Sequence, residues 1–340
     1  MSLQIVKNER SFATPLPAMS EAQDQDRSIK VMIPYDGSES GEMALDDLRR
    51  AGLPQALDAI VAVTNVWLPL SPYEITRAVS ARRMRVLSAG ASSFAPALRD
   101  HEEQRVLSLE AERRISSIFP SGTVRAEAMQ DAATVANEIL RRAKQWGVEL
   151  IIVGAKTSPS AHITDYAGPA LKVAREAHCS VRIARASDRK EDSPIRIIAG
   201  LDGSAALAAR VVDAVADRTW PPASEIRLVA VRKDRPRNPT KDAEATVMLD
   251  QAAQELRAKG LTVSLAIRDG MPQDVLLHEA REFAADCIFI DSAGSSHELD
   301  AGCDRRDLSR AAEALALGAD CSVEIVRAKN FSGQYLKPAA

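Results

Sequence analysis

The chain repeats itself, and an internal repeat constrains the fold before any single motif does. Residues 29–38 read Ile-Lys-Val-Met-Ile-Pro-Tyr-Asp-Gly-Ser, and residues 195–204 read Ile-Arg-Ile-Ile-Ala-Gly-Leu-Asp-Gly-Ser. Each is an apolar run of strand length that ends in Asp-Gly-Ser and leads into an Ala/Leu-rich helical stretch. The two halves also end alike: Ala177-His-Cys-Ser-Val-Arg-Ile-Ala-Arg185 corresponds to Ala319-Asp-Cys-Ser-Val-Glu-Ile-Val-Arg327. The offset is 166 residues at Asp36 and Asp202 but 142 at Cys179 and Cys321, so the first half carries about 24 extra residues. They are placed in an insertion at about 68–96. A short polar stretch, 187–194, joins the halves, as a linker should. This division gives a first domain at 28–186, a second at 194–328, and tails at 1–27 and 329–340.

Between these landmarks, strand-like runs alternate with helical patterns. In the first half strands are expected at 29–35, 59–66, 123–129, 150–154 and 180–184, and helices at 39–51, 97–119, 132–146 and 169–177. In the second half strands are expected at 195–201, 226–231, 262–267, 287–291 and 322–326, and helices at 205–218, 241–259, 272–284 and 308–317. Such alternation implies an α/β fold: two tandem open parallel five-stranded sheets with helices on both faces. Continuous apolar runs such as Ile151-Ile-Val and Ile288-Phe-Ile fit strands buried on both sides. Ligands in such sheets sit at the carboxyl ends of the strands, near a topological switch point. Attention therefore falls on the loops after the first and fourth strands of each half.

Composition closes off other classes. With 340 residues and 46% hydrophobic content the chain can bury ordinary cores. Its 44 basic and 47 acidic residues leave a net charge of −3, which argues against a dedicated DNA or RNA binder. No apolar run reaches membrane-spanning length, and the first 29 residues lack the apolar core of a signal peptide, so no membrane association and a cytoplasmic location are expected. The four cysteines form no CxxC pair and read as free thiols, Cys179 and Cys321 as small buried hydrophobes.

At the strand-one and strand-four loops the chain resembles the universal stress protein family. The resemblance rests on the strand-Asp-Gly-Ser start, the Gly154 loop, the Gly168 turn into a helix, and the ending at 177–185. The second half repeats the start and the ending. The resemblance implies a Rossmann-like, adenine-nucleotide alpha-hydrolase-like fold whose halves pack as an intrachain pseudo-dimer, often through the last strands; a homodimer of tandem chains is the alternative. It also implies ATP, with magnesium, as the candidate cofactor in the first half. In family members that bind ATP, a loop of form Gly-x-x-Gly, nine residues, then Gly-Ser or Gly-Thr lets backbone amides approach phosphate. The Asp after strand one lies near adenine and ribose, and a residue ending strand two contacts the base.

Carried onto this sequence, the candidate nucleotide-binding residues of the first half are Asp36, Gly37, Val66, Gly154, Lys156, Thr157 and Gly168. The first half departs from the pattern. Thr157 replaces the second glycine, with Lys156 as a candidate phosphate-binding charge, and Pro169 after Gly168 has no N–H to offer. In the second half the candidates are Asp202, Gly294 and Ser309. There Asp291 replaces the first glycine, and Glu298, Asp300, Asp304 and Asp307 make the loop acidic, against Arg305 and Arg306. That pocket is expected to be degenerate, because clustered carboxylates repel phosphate.

Other clusters have bland readings. His297, Glu298, Asp300, Cys303 and Asp304 match no recurring metal-ligand spacing, and no metal site is expected. Arg77, Arg82, Arg83 and Arg85 read as a solvated face rather than a nucleic-acid patch. His162 and Asp165 read as loop polarity. Neither a Walker loop nor a nucleophile elbow occurs. The function expected is therefore binding, not catalysis: a stress-response regulator that takes an adenine nucleotide in its first half and an unidentified protein partner. The alternatives are a weak magnesium-dependent ATPase or phosphotransfer protein, and an interaction module with no nucleotide.

Overall fold

A computed structural model describes residues 28–63, 94–129, 134–155, 168–190, 193–201, 205–232, 239–293 and 308–328. In the first half, strands β1 (Lys30–Tyr35), β2 (Asp58–Val63), β3 (Thr123–Ala128), β4 (Leu150–Gly154) and β5 (Ser180–Ala184) alternate with helices α1 (Glu39–Asp47), α2 (Phe94–Ile118), α3 (Val135–Trp146) and α4 (Pro169–Glu176). The second half runs β6 (Arg196–Leu201), α5 (Ala205–Ala216), β7 (Glu225–Arg232), α6 (Pro239–Ala258), β8 (Thr262–Asp269), α7 (Pro272–Glu282), β9 (Cys287–Asp291), α8 (Arg310–Gly318) and β10 (Ser322–Val326). Strands β4, β5, β9 and β10 coincide with the expected apolar runs. The first helix is shorter than expected, ending at Asp47 and passing into a 3-10 turn at Leu48–Arg50. The insertion placed at 68–96 falls outside the described residues except for Phe94–Pro96, which open α2. The two tails lie outside them as well.

Local chemistry sets the helix ends. The Thr134 hydroxyl accepts from the Asn137 amide to start α3, and Gly147, with φ of 65°, closes it in the left-handed conformation that glycine adopts without strain. Proline stands at the start of both α4 and α7, where a missing N–H costs little.

The two expected sheets are in fact one. Ten strands run in the order β3-β2-β1-β4-β5-β10-β9-β6-β7-β8. Every pairing within a half is parallel, and the halves join where β5 meets β10 antiparallel, with Glu324 opposite Arg182, flanked by Val323 opposite Ile183 and Ile325 opposite Val181. The period of two along a strand then gives this junction two unlike faces. On one face Val181, Ile183, Val323 and Ile325 belong to a single core that runs through both halves beneath α3, α4, α7 and α8. On the other face each half keeps its own core, under α1 and α2 in the first and under α5 and α6 in the second.

Between those two separate cores lies a buried charge cluster. Arg182 has no exposed surface. Its guanidinium donates to Asp47 Oδ1 at 3.1 Å, to Glu324 Oε2 at 3.3 Å and to Cys287 Sγ at 3.0 Å. Arg218 closes the set by pairing with Glu324, and the Ser322 hydroxyl donates to Asp47 at 2.9 Å. Burial alone would lower the Arg182 pKa, but the Asp47 and Glu324 charges outweigh it and hold it well above its ordinary value. Two arginines thus face two carboxylates, drawn from both halves.

Two further arginines fasten the junction reciprocally. Arg185 donates to Ala316 O at 2.6 Å and Ala319 O at 3.2 Å, at the carboxyl end of α8, while Arg327 donates to Ala174 O at 2.8 Å and Arg175 O at 2.9 Å, at the carboxyl end of α4. Cations are favoured at helix carboxyl ends, so each half stabilises a helix of the other. The linker is held too: Arg189 pairs with Asp286 and donates to Pro194 O. At the outer edges, the Glu112 carboxylate accepts from the Ala126 amide of β3 at 2.6 Å, and Arg257 donates to Val263 O of β8 at 2.9 Å. Both outer strands thus have a backbone group taken by a helix side chain.

Two stability predictions follow from this packing. Arg182→Met should cost roughly 3–5 kcal/mol in denaturant unfolding, because it strands buried carboxylates. Adding Asp47→Leu leaves the Arg218–Glu324 pair intact and should recover most of that loss; equal losses in the single and double variants would contradict the account. At Gly154, a Cβ would lie 1.7 Å from the Ser40 carbonyl oxygen of α1. Gly154→Ala should therefore push α1 off the sheet and cost about 1–3 kcal/mol, read as a lowered melting temperature.

Candidate functional site

The strand order reverses between β1 and β4 in the first half and between β6 and β9 in the second. The loops leaving the carboxyl ends of these strands are the ligand sites of open α/β sheets. In the first half the structure describes Asp36, Gly37, Gly154 and Gly168. Val66, Lys156 and Thr157 lie outside the described residues. Asp36 does not cap α1; its Oδ1 accepts from the Ser38 amide at 3.0 Å, and Ser38 is the cap, its hydroxyl accepting from Gly41 N at 3.2 Å. Gly37 makes that turn with φ of 71°, which a side chain would strain. Gly154 brings the end of β4 against the first turn of α1, so its lack of a side chain is a packing requirement as well as an opening at the site. Gly168 precedes α4, and among the described residues no side chain caps that helix, leaving its amino end to other acceptors.

The second half shows a cavity of about 140 Å³ at the same place in its own sheet. Apolar walls come from Leu201, Leu207, Val231, Met271, Leu276 and Ile290, and polar atoms from Gln273, Asp291, Ser309 and Arg310. Ser309 is among the residues singled out from sequence. Its hydroxyl caps α8 by accepting from Ala312 N at 3.2 Å, and its own amide donates to Ser292 O at 2.8 Å, closing the loop ends together. Asp202 and Gly294 lie outside the described residues. Asp291, read from sequence as the replacement of the first loop glycine, also lines the cavity; the other wall residues were not foreseen. A signal for them exists in the repeat: at the offset of 166 residues Leu201 replaces Tyr35, Leu207 replaces Gly41 and Arg210 replaces Ala44.

Asp291, at the end of β9, occupies the place that Gly154 holds in β4. It is 4% exposed. Its Oδ1 accepts from Ala293 N at 2.8 Å, and its Oδ2 lies 3.1 Å from Arg210 Nε. Burial raises its pKa, while the Ala293 amide and then Arg210 pull it back, leaving it above the ordinary aspartate value. In the first half neither Gly154 nor Ala44 brings a charge to the corresponding place; nearby, the Tyr35 hydroxyl donates to the Glu42 carboxylate at 2.5 Å, and burial with that carboxylate raises the phenol pKa.

Cys179 is buried as the sequence suggests, whereas Cys321 is only half-buried. Burial pushes the thiols of Cys179 and Cys321 up to about 12, so neither is a reactive thiolate at neutral pH. Cys303, the His297–Asp304 cluster, His162, Asp165 and the Arg77–Arg85 run lie outside the described residues. Among the described residues no helix is long and apolar enough to cross a membrane.

Comparison with known proteins adds a family. Residues 195–327 match the sequence profile of the universal stress protein family. A universal stress protein from Archaeoglobus fulgidus DSM 4304 has a similar structure, at 16% identity over 88% of this chain and 96% of that one, with a TM-score of 0.57. A protein of unknown function from Pseudomonas aeruginosa PAO1 is similar over 89% of this chain and 93% of its own, at 15% identity and a TM-score of 0.52. At such identities the likeness establishes the fold. A universal stress protein from Archaeoglobus fulgidus has been solved in complex with dAMP, at 17% identity over 39% of this chain and 98% of that one with a TM-score of 0.29; that ligand is a fact about that protein. A search of curated proteins found no significant match. The second half thus carries the sequence match to the universal stress protein family, and the first half repeats the same strand order.

Proposed function

We propose that the chain is a tandem universal stress protein, a regulatory binding protein of the stress response whose first half takes an adenine nucleotide. The observation that carries this reading is the position of the site. The loops after β1 and β4 leave the sheet where its strand order reverses, and the matching place in the second half is a formed cavity. The residues of the first half suit a phosphate-bearing ligand. Gly154 offers no side chain, α4 presents an amino end that no side chain among the described residues caps, and helix amino ends favour anions. Pro169 removes one amide donor, and Lys156 would supply a charge in its place. Asp36 would take the ribose or base, and Val66 would contact the base. Magnesium, when present, would travel with the phosphates, which it binds by preference.

Binding would reach a protein partner through α1. The first turn of that helix packs on Gly154, and its last residue, Asp47, holds Arg182 in the junction. A nucleotide that moved the start of α1 would bias the charge cluster between the halves, a shift of populations rather than a chemical step.

Calorimetric titration of the nucleotide-free chain with ATP and magnesium should give one saturable site. Asp36→Ala should weaken it by at least about tenfold, as loss of a hydrogen bond to a charged group does. Absence of heat at two temperatures would refute nucleotide binding.

A further inference from the structure

We infer that the cleft of the second half selects a small uncharged ring compound of nucleobase or nucleoside type and turns its phosphorylated forms away, because the chain supplies its own anion there. This rests on the reading that the clefts are adenine-ligand sites.

Three observations converge. First, the Asp291 carboxylate stands at the cleft wall, 4% exposed. Its Oδ1 already holds the Ala293 amide, a loop donor that a phosphate oxygen would otherwise take. Its Oδ2 is shut off from water, has Arg210 as an ion-pair neighbour, and makes no hydrogen bond among the described residues. A ligand N–H would complete it. Arg210 neutralises the carboxylate only while it stays paired with it, so a phosphate entering the cleft would have to go without that cation or draw it away and leave Asp291 buried and alone in an apolar wall. Second, the pair is an exchange at two sites. The first half has Gly154 and Ala44 where the second has Asp291 and Arg210, so the carboxylate and its counterion both belong to the second half. Third, size and lining fit a ring. The cavity of about 140 Å³ is walled by Leu201, Leu207, Met271 and Leu276. An apolar cavity of about 150 Å³ holds a molecule the size of benzene.

The amino end of α8 does not reverse this. Ser309 already occupies the Ala312 amide. Arg310 is a cation at the cleft, but it is exposed and therefore screened, whereas Asp291 is buried.

The test is titration of the full-length protein, labelled with carbon-13 at its methionine methyls, with adenosine, AMP and ATP. The Met271 signal, assigned with Met271→Leu, reports the second cleft alone. Adenosine should shift it saturably, and AMP should do so at least about tenfold more weakly. The double variant Arg210→Ala, Asp291→Gly should bring AMP to within about threefold of adenosine. Asp291→Asn, which keeps the shape and removes the charge, reads the same effect should the double variant fail to fold. Equal response to adenosine and AMP in the wild type, or an unchanged ratio in both variants, would overturn the inference. A silent Met271 alongside calorimetric binding of ATP elsewhere would overturn it while leaving the nucleotide reading standing. No binding of any of the three compounds would overturn both.

Discussion

The pairing of β5 with β10 is the constraint on which the rest of the molecule depends. One face of that ladder is aliphatic and lets a single core run through both halves; the other is ionic and keeps two cores apart. The aliphatic face supplies burial, which is non-directional. The ionic face adds little net stability of its own, since desolvating Arg182, Asp47, Glu324 and Arg218 offsets most of their attraction. Its contribution is geometric. Each carboxylate has its arginine in only one register, so sliding the halves by a residue would leave charges buried and alone.

Both helices that border this cluster also border a candidate ligand cleft. In the first half α1 begins beside Gly154 and ends at Asp47. In the second, Arg210 on α5 pairs with Asp291 at the cleft, and Arg218, just beyond that helix, pairs with Glu324 at the junction. The repeat therefore places one lever in each half, but with different chemistry at the site end. The first-half lever meets a bare glycine; the second is tied down by a salt bridge.

Much of the fold is legible in the sequence because the strands are short and continuously apolar, and because the repeat lets each half check the other. Helix ends are less legible: α1 tightens into a 3-10 turn at Leu48, where no proline or glycine marks a stop. The joining of two sheets into one has a signature in the matched endings, where Arg182 and Glu324 occupy the same position with opposite charge, but reading it needs the knowledge that those positions face each other. The second cleft is written in side chains scattered over β6, α5, α7 and β9. Met271 and Leu276 look like ordinary helix residues until the sheet brings them to Leu201. Asp291, taken from sequence as damage to a phosphate loop, gains its partner Arg210 only in three dimensions.

The Arg182–Glu324 pair also decides what each half can recognise. It sits at the centre of an antiparallel register, where a two-fold axis would place any residue opposite its own copy. A first half meeting another first half through β5 would set guanidinium against guanidinium, and two second halves would set carboxylate against carboxylate. Each half is thus self-avoiding and complementary only to the other. Covalent tethering then serves stoichiometry more than affinity: it delivers one of each kind, in equal number, to a joint that accepts no other combination.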